Sequence, residues 1–313
     1  MRLALPDGYA PLKVWNTPGP PSAALTRAVP ADMASCQVLR AIEMDNIKGV
    51  TFFFSHVLTG IHIHHTHESC AMETCARDFS NRARRGLVWI YLPRSKRDRI
   101  LDLGVREVMG STSRRILVRT RLSGDIVIGK QHNHAVRDTC LAASAPVTML
   151  YGDPKPGRQI SFFGAHCRAP SGPGRAALFR IVRPGNSPID EEPYVSWAPL
   201  DDVAAAEVFT NQTTGACKGI LLRYQNGGAR SVGQCRVHVD PSETVTQPNQ
   251  IRFKVDASSP GENETVYTVQ VTFSKADAAH GAAEDHKGWE VRPMKGLLKF
   301  WFTVESSFVA VGD

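Results

Sequence analysis

Two stretches of this chain read alike, and both read as β-strand. Lys48-Gly49-Val50-Thr51-Phe52-Phe53 reappears in outline as Lys218-Gly219-Ile220-Leu221-Leu222-Arg223, and each copy meets a glycine turn shortly afterwards, at Gly60 and at Gly227-Gly228. Further on, Ile116-Leu117-Val118-Arg119-Thr120 followed by Ile126-Val127-Ile128-Gly129 has a loose counterpart in Leu298-Lys299-Phe300-Trp301-Phe302 followed by Phe308-Val309-Ala310-Val311-Gly312. Apolar runs of strand length separated by glycine turns, stated twice, predict two related β units.

The rest of the chain fits that frame. Its 313 residues are enough for two domains with their own cores, and 42% hydrophobic with 21% charged residues is a globular composition. Residues 1–35 carry Pro6, Pro11, Pro18, Pro20, Pro21 and Pro30, which deny helix and central-strand hydrogen bonds, so an extended N-terminal arm is expected there. Helix-period stretches are few; one short helix is expected within 68–86, where Ala, Met, Glu and Arg concentrate. Strands are expected at 87–92, 98–106, 116–121, 125–129, 159–163, 177–182, 218–224, 229–238, 250–255, 266–273, 296–303 and 307–311, with an exposed loop at 275–288. The predicted class is all-β, as two tandem β-prism-like or β-sandwich-like domains at 36–165 and 166–313.

No apolar run approaches the roughly 20 residues that span a bilayer. The apolar start at Met1–Leu5 is too short for a signal-peptide core, so a cytoplasmic location is expected, with a nuclear one open. The sequons at Asn211 and Asn263 are then expected to stay unmodified. Seven widely spaced cysteines (36, 70, 75, 140, 167, 217 and 235) lack the density of a disulfide scaffold and read as reduced, mostly buried thiols.

Three groups of residues invite a chemical reading. His62 and His64 are two apart in a strand and project to one side, so they can grip one metal, with Glu68 arriving from the following turn. The pattern His62-x-His64-x-x-x-Glu68 resembles the first metal motif of the cupins, and His132-x-His134-x-x-x-Asp138 echoes it. That resemblance implies a metal-dependent enzyme. The glycines that flank the cupin motif are missing, and imidazoles on the wet face of an amphipathic strand are the plainer reading. Cys70 and Cys75 near His67 lack strong zinc spacing. Second, the segment 77–121 holds thirteen Lys and Arg residues against four Asp and Glu, although the whole chain carries only +7. Arg82, Arg84, Arg85, Arg94, Lys96, Arg97, Arg99, Arg114 and Arg115 are candidates for nucleic-acid phosphates or for an adaptor surface, with Trp89 or Tyr91 to stack a base. The plainer reading is charge on outward strand positions. Third, Trp89, Trp197, Trp289 and Trp301 are candidate platforms for a sugar, or ordinary core residues. Gly124–Gln131 is spelled almost like a phosphate-binding loop, but its spacer is strand-forming and no helix follows. No nucleophile elbow and no cofactor motif occur, so no cofactor is expected beyond that metal.

The phrases Lys48–Phe53, Val88–Pro93, Asp98–Ile100, Lys218–Tyr224 and Met294–Phe302 resemble those of a large group of fungal proteins, some of which resemble carriers of F-box segments. A second resemblance, to the jacalin-type lectins with their three-sheet β-prism, lies in the rhythm of Arg119-Thr120 through Gly124 to Gly129. It implies a sugar-binding scaffold; the lectins' carbohydrate loop is not reproduced, since Gly312-Asp313 lacks its spacing and Lys130-Gln131-His132 follow Gly129. The reading that emerges is a binding module for carbohydrate or for a protein partner. The alternatives are a metal enzyme at His62, His64 and Glu68, or a nucleic-acid or adaptor protein using 77–121.

Overall fold

In the computed structural model the described residues are 16, 21–29, 36–66, 68–110, 113–130, 134–154, 157–167, 179, 187–189, 192–261, 264–275 and 288–312. The expected strand at 177–182 and the loop at 275–288 fall almost wholly outside them, as do His67, His132 and most of the N-terminal arm. The chain is all-β. Its strands in the first part are β1 (Thr26–Ala28), β2 (Cys36–Glu43), β3 (Gly49–Ser55), β4 (Val57–His64), β5 (Val88–Pro93), β6 (Ile100–Val108), β7 (Arg114–Thr120), β8 (Gly124–Ile128), β9 (Val136–Ala142), β10 (Val147–Pro154) and β11 (Phe163–Cys167). The second part holds β12 (Tyr194–Pro199), β13 (Val203–Thr210), β14 (Cys217–Tyr224), β15 (Ala229–Gly233), β16 (Ser242–Thr246), β17 (Gln250–Gly261), β18 (Glu264–Ser274), β19 (Glu290–Pro293), β20 (Leu297–Phe302) and β21 (Ser307–Gly312). In place of one helix in 68–86 there are two, α1 (Ala71–Asp78) and α2 (Asn81–Arg85). The break falls at Ser80, whose hydroxyl accepts from the Ala83 N–H and restarts the helix.

Among the described residues each part forms three antiparallel sheets, and the pairing order is the same in both once the strands are matched ten or eleven apart. The orders β11-β10-β2, β4-β3-β5 and β7-β6-β9 correspond to β21-β20-β12, β14-β13-β16 and β18-β17-β19. This correspondence differs from the one the sequence suggests. The matching phrases lie on β3 and β14, and on β7 and β20, yet the sheet-order counterparts of β3 and β7 are β13 and β18. The phrases match because all four strands are central, buried members of hairpins, which fixes composition without fixing place. Strand β11 also runs through the expected boundary at 165/166, so the first unit extends to at least Cys167. The arm is partly docked: β1 pairs with β11, and Val29 beyond it is buried.

Among the described strands three have no counterpart: β1, which docks on β11, and β8 and β15, which lie at the junction between the parts. Arg230 of β15 donates from Nε to the Ser123 carbonyl at 2.9 Å, from Nη1 to the Trp197 carbonyl at 3.2 Å, and from Nη2 to the Asp125 carbonyl. Ser123 Oγ accepts from the Ala229 N–H (3.0 Å) while donating to Asp98, and Ser231 Oγ donates to the Tyr91 carbonyl. Asp98, 4% exposed, also takes the Thr120 hydroxyl and the Leu122 N–H, each at 2.8 Å. The apolar core does not stop at the junction: Val50, Phe52 and Val118 belong to the same buried cluster as Ile220, Phe253 and Phe300. Strand β3 is covered on both faces, as its unbroken apolar run requires. Phe52 and Phe54 enter that core, whereas Phe53 turns to a smaller cluster with Cys75, Phe79, Leu87 and Trp89 beneath α1.

Candidate functional site

The expected metal ligands are brought together only in part. The register of β3 and β4 sets Thr51 opposite His62 and Gly49 opposite His64, and the two imidazoles lie edge to face with centroids 4.6 Å apart. This face is not wet: His64 is 2% exposed and Tyr91 packs edge-on against it at 5.2 Å. His64 Nδ1 lies 2.9 Å from the Ser69 carbonyl oxygen, which only accepts, so Nδ1 carries the proton. Nε2 then accepts from the Thr51 hydroxyl at 2.8 Å. Both nitrogens of His64 are thus engaged in the neutral tautomer, and no lone pair is left for a cation. His62 bonds Thr74 Oγ1 through Nδ1 at 2.8 Å, and its Nε2 is buried without a partner. Burial pushes His62 down to about 4, helped by His65 and Arg77. Burial likewise pushes His64 down to about 4, helped by the neighbouring His62 and opposed by the Ser69 carbonyl. Glu68 is exposed. Among the described residues no three His, Cys, Asp or Glu side chains group as metal ligands, and Asp138 of the second echo gives both oxygens to Arg106. Cys75, Cys140, Cys167, Cys217 and Cys235 are buried.

The basic segment is largely occupied internally. Arg106 holds Asp138 bidentately, Arg119 bridges Asp102 and Asp125, and Arg114 pairs with Glu107. Arg94 is buried against the carbonyls of Met44 and Asp98, and Arg84 caps the carbonyls of Ala76 and Phe79. Arg82, Arg85, Lys96, Arg97, Arg99 and Arg121 remain exposed. Trp89 and Tyr91, expected to stack a base, are 3% and 8% exposed and serve the core instead.

The tryptophans divide in the same way. Trp89, Trp197 and Trp301 are buried; Trp289, just before β19, is half-buried and lines a cleft of about 440 Å³. That cleft lies between β16 and β18, the outer strands of two neighbouring sheets. Its floor is apolar, from Val208, Val245, Val271 and Phe273, and its walls carry Thr210, Ser242, Glu243, Gln270 and Thr272. The period of two explains the division on β18. Val269, Val271 and Phe273 point into the core, so Gln270 and Thr272 must point out. Arg252 stands over the Trp289 ring, 5.7 Å from its centroid. Among the described lining residues Glu243 is the one carboxylate. The alternation of Gln270 and Thr272 with valines was legible in the sequence; that β17 joins β18 to β19 and so to Trp289 was not.

A larger cleft of about 670 Å³ opens between the two parts. Phe54, His56, Arg85, Lys130, Tyr194 and the Thr303–Ser306 turn contribute to its lining. Compared with known proteins, the chain matches no family model and no curated protein. Among the described residues no helix is long and apolar enough to cross a membrane.

Proposed function

We propose that this chain is a binding module and that its ligand is a carbohydrate, held in the cleft between β16 and β18. The observation that carries the reading is Trp289, a partly exposed indole beside a ring of hydroxyl, amide and carboxylate groups, in a protein whose tryptophans 89, 197 and 301 are buried. A sugar has an apolar C–H face and a polar rim. An aromatic plane meets the first, and a few placed polar groups such as Gln270, Thr272 and Glu243 meet the second. The common sheet order of the two parts supports descent from one duplicated unit, consistent with the lectin-like rhythm of the sequence. A glycan array probed with the full chain tests the reading. Binding to at least one glycan is expected, weakened about tenfold, or about 1.4 kcal/mol, by Trp289→Ala. An array without signal, or a W289A variant that binds like wild type, sinks it.

A second reading rests on a separate observation. Both walls of the cleft are edge strands, which present unpaired backbone groups that an extended peptide can join. Peptide capture insensitive to W289A, on a chain silent toward glycans, favours this partner.

A further inference from the structure

One buried cation in the first part has no counter-charge of its own among the described residues. Across the sheet containing β7, β6 and β9, register places Arg115 opposite Arg106, and Arg106 opposite Asp138. Asp138 is spent on Arg106, through contacts of 2.6 and 2.7 Å. Arg115 is 1% exposed, and its Nε and Nη2 are sealed from solvent with no hydrogen-bond partner. Burial holds its guanidinium down at about 10, Arg106 adds to that, and Asp138 opposes it. A buried charge left in this condition costs several kcal/mol unless something pairs with it.

The identity of the two bare nitrogens is informative. Nε and Nη2 form one edge of the guanidinium, with parallel N–H bonds, the edge that takes both oxygens of a carboxylate or phosphate. The surroundings place the stem of this side chain beside the larger cleft. A Cβ at Gly129 would lie 3.2 Å from Arg115 Cγ and 3.4 Å from Phe54 Cε1, so the Arg115 stem lies next to Gly129 and close to the Phe54 ring. Phe54 and Lys130, the residue after Gly129, both line the cleft. Leu117, on the same face of β7 as Arg115, packs in a cluster with Ile189, which also lines it. Lys130 is itself only loosely held: Nζ is 3.4 Å from Glu192, whose side chain is 62% exposed.

We propose that Arg115 is the base of an oxyanion site: a carboxylate or phosphate group on a small molecule enters from the cleft between the two parts and takes the Nε–Nη2 edge, with Lys130 as the second cation. Because both nitrogens are covered, entry displaces the wall formed by Phe54 and Lys130. The site is separate from the Trp289 cleft and stands or falls independently of it.

The test uses the full chain labelled with ¹⁵N and titrated with inorganic phosphate and, separately, acetate, each against sodium chloride at matched ionic strength. One arginine Nε–H resonance is expected to move saturably while the thermal midpoint rises, with either anion. Both responses vanish in Arg115→Met, which folds in chloride with an unchanged or higher midpoint because an unpaired buried charge has gone. A flat wild-type titration overturns the proposal, and so does a response that survives in R115M. If R115M does not fold, Lys130→Gln decides: apparent affinity at least threefold weaker supports the site, and an unchanged one overturns it.

Discussion

Arg230→Met is the sharpest test of how the two parts hold together. The guanidinium donates to the carbonyls of Ser123, Asp125 and Trp197, and the side chain is 6% exposed, so water cannot take its place. Methionine fills similar volume and leaves three carbonyls short of a donor. Each such loss costs about 1–3 kcal/mol, offset in part because a charge no longer has to be desolvated. A net destabilisation of about 2–4 kcal/mol follows. With a urea m-value of about 3 kcal/mol/M, the midpoint falls by about 1 M. Because Val50 and Phe52 share a buried cluster with Ile220 and Phe300, wild type and variant are both expected to unfold in one transition, coincident by tryptophan fluorescence and far-ultraviolet circular dichroism. A midpoint shift below about 0.3 M would refute the argument that these bonds clamp the junction.

Two further outcomes can be checked in the same apparatus. His62 and His64 are held near 4 against an ordinary 6.5, so the unfolded chain binds more protons between those values. Their contribution is complete above pH 6.5 and is lost as pH falls toward 4. His62→Gln keeps a partner for Thr74 but does not titrate, and its stability should fall less over that range; a curve parallel to wild type would contradict the assignment. Gly219→Ala places a methyl group 2.6 Å from the Gln234 carbonyl carbon and 2.7 Å from the Cys235 nitrogen, backbone atoms that cannot swing aside. A loss of about 2 kcal/mol or more is expected in urea melts, against no more than about 0.5 kcal/mol for Gly261→Ala, where the added methyl meets nothing within 4 Å. Equal effects of the two would show that steric approach is not what holds glycine at 219.

The order in which strands lie side by side was hidden from the sequence for a physical reason. Lys48–Phe53 and Lys218–Arg223 resemble each other because strands covered on both faces draw on the same few residues, whichever neighbour covers them. Strands β13 and β16, which take part in the matching sheet order, were not read at all. Val203–Thr210 is rich in alanine, and Ser242–Thr246 is an exposed edge without an apolar face to betray it. The histidines show the same limit. Alternation correctly put His62 and His64 on one side of β4, but whether that side met water depended on Tyr91 and α1, distant in sequence.

By itself, then, the sequence determined what is local: strands by their period of two, turns at glycines, and which residues share a strand face. Only the tertiary structure decided which faces are covered, that Trp289 stands at a cleft while Trp89, Trp197 and Trp301 fill the core, and that Arg106 takes Asp138 and leaves Arg115 unpaired. Those outcomes depend on which strands become neighbours, and neighbours are chosen by burial summed over the whole chain, a quantity that no short stretch contains.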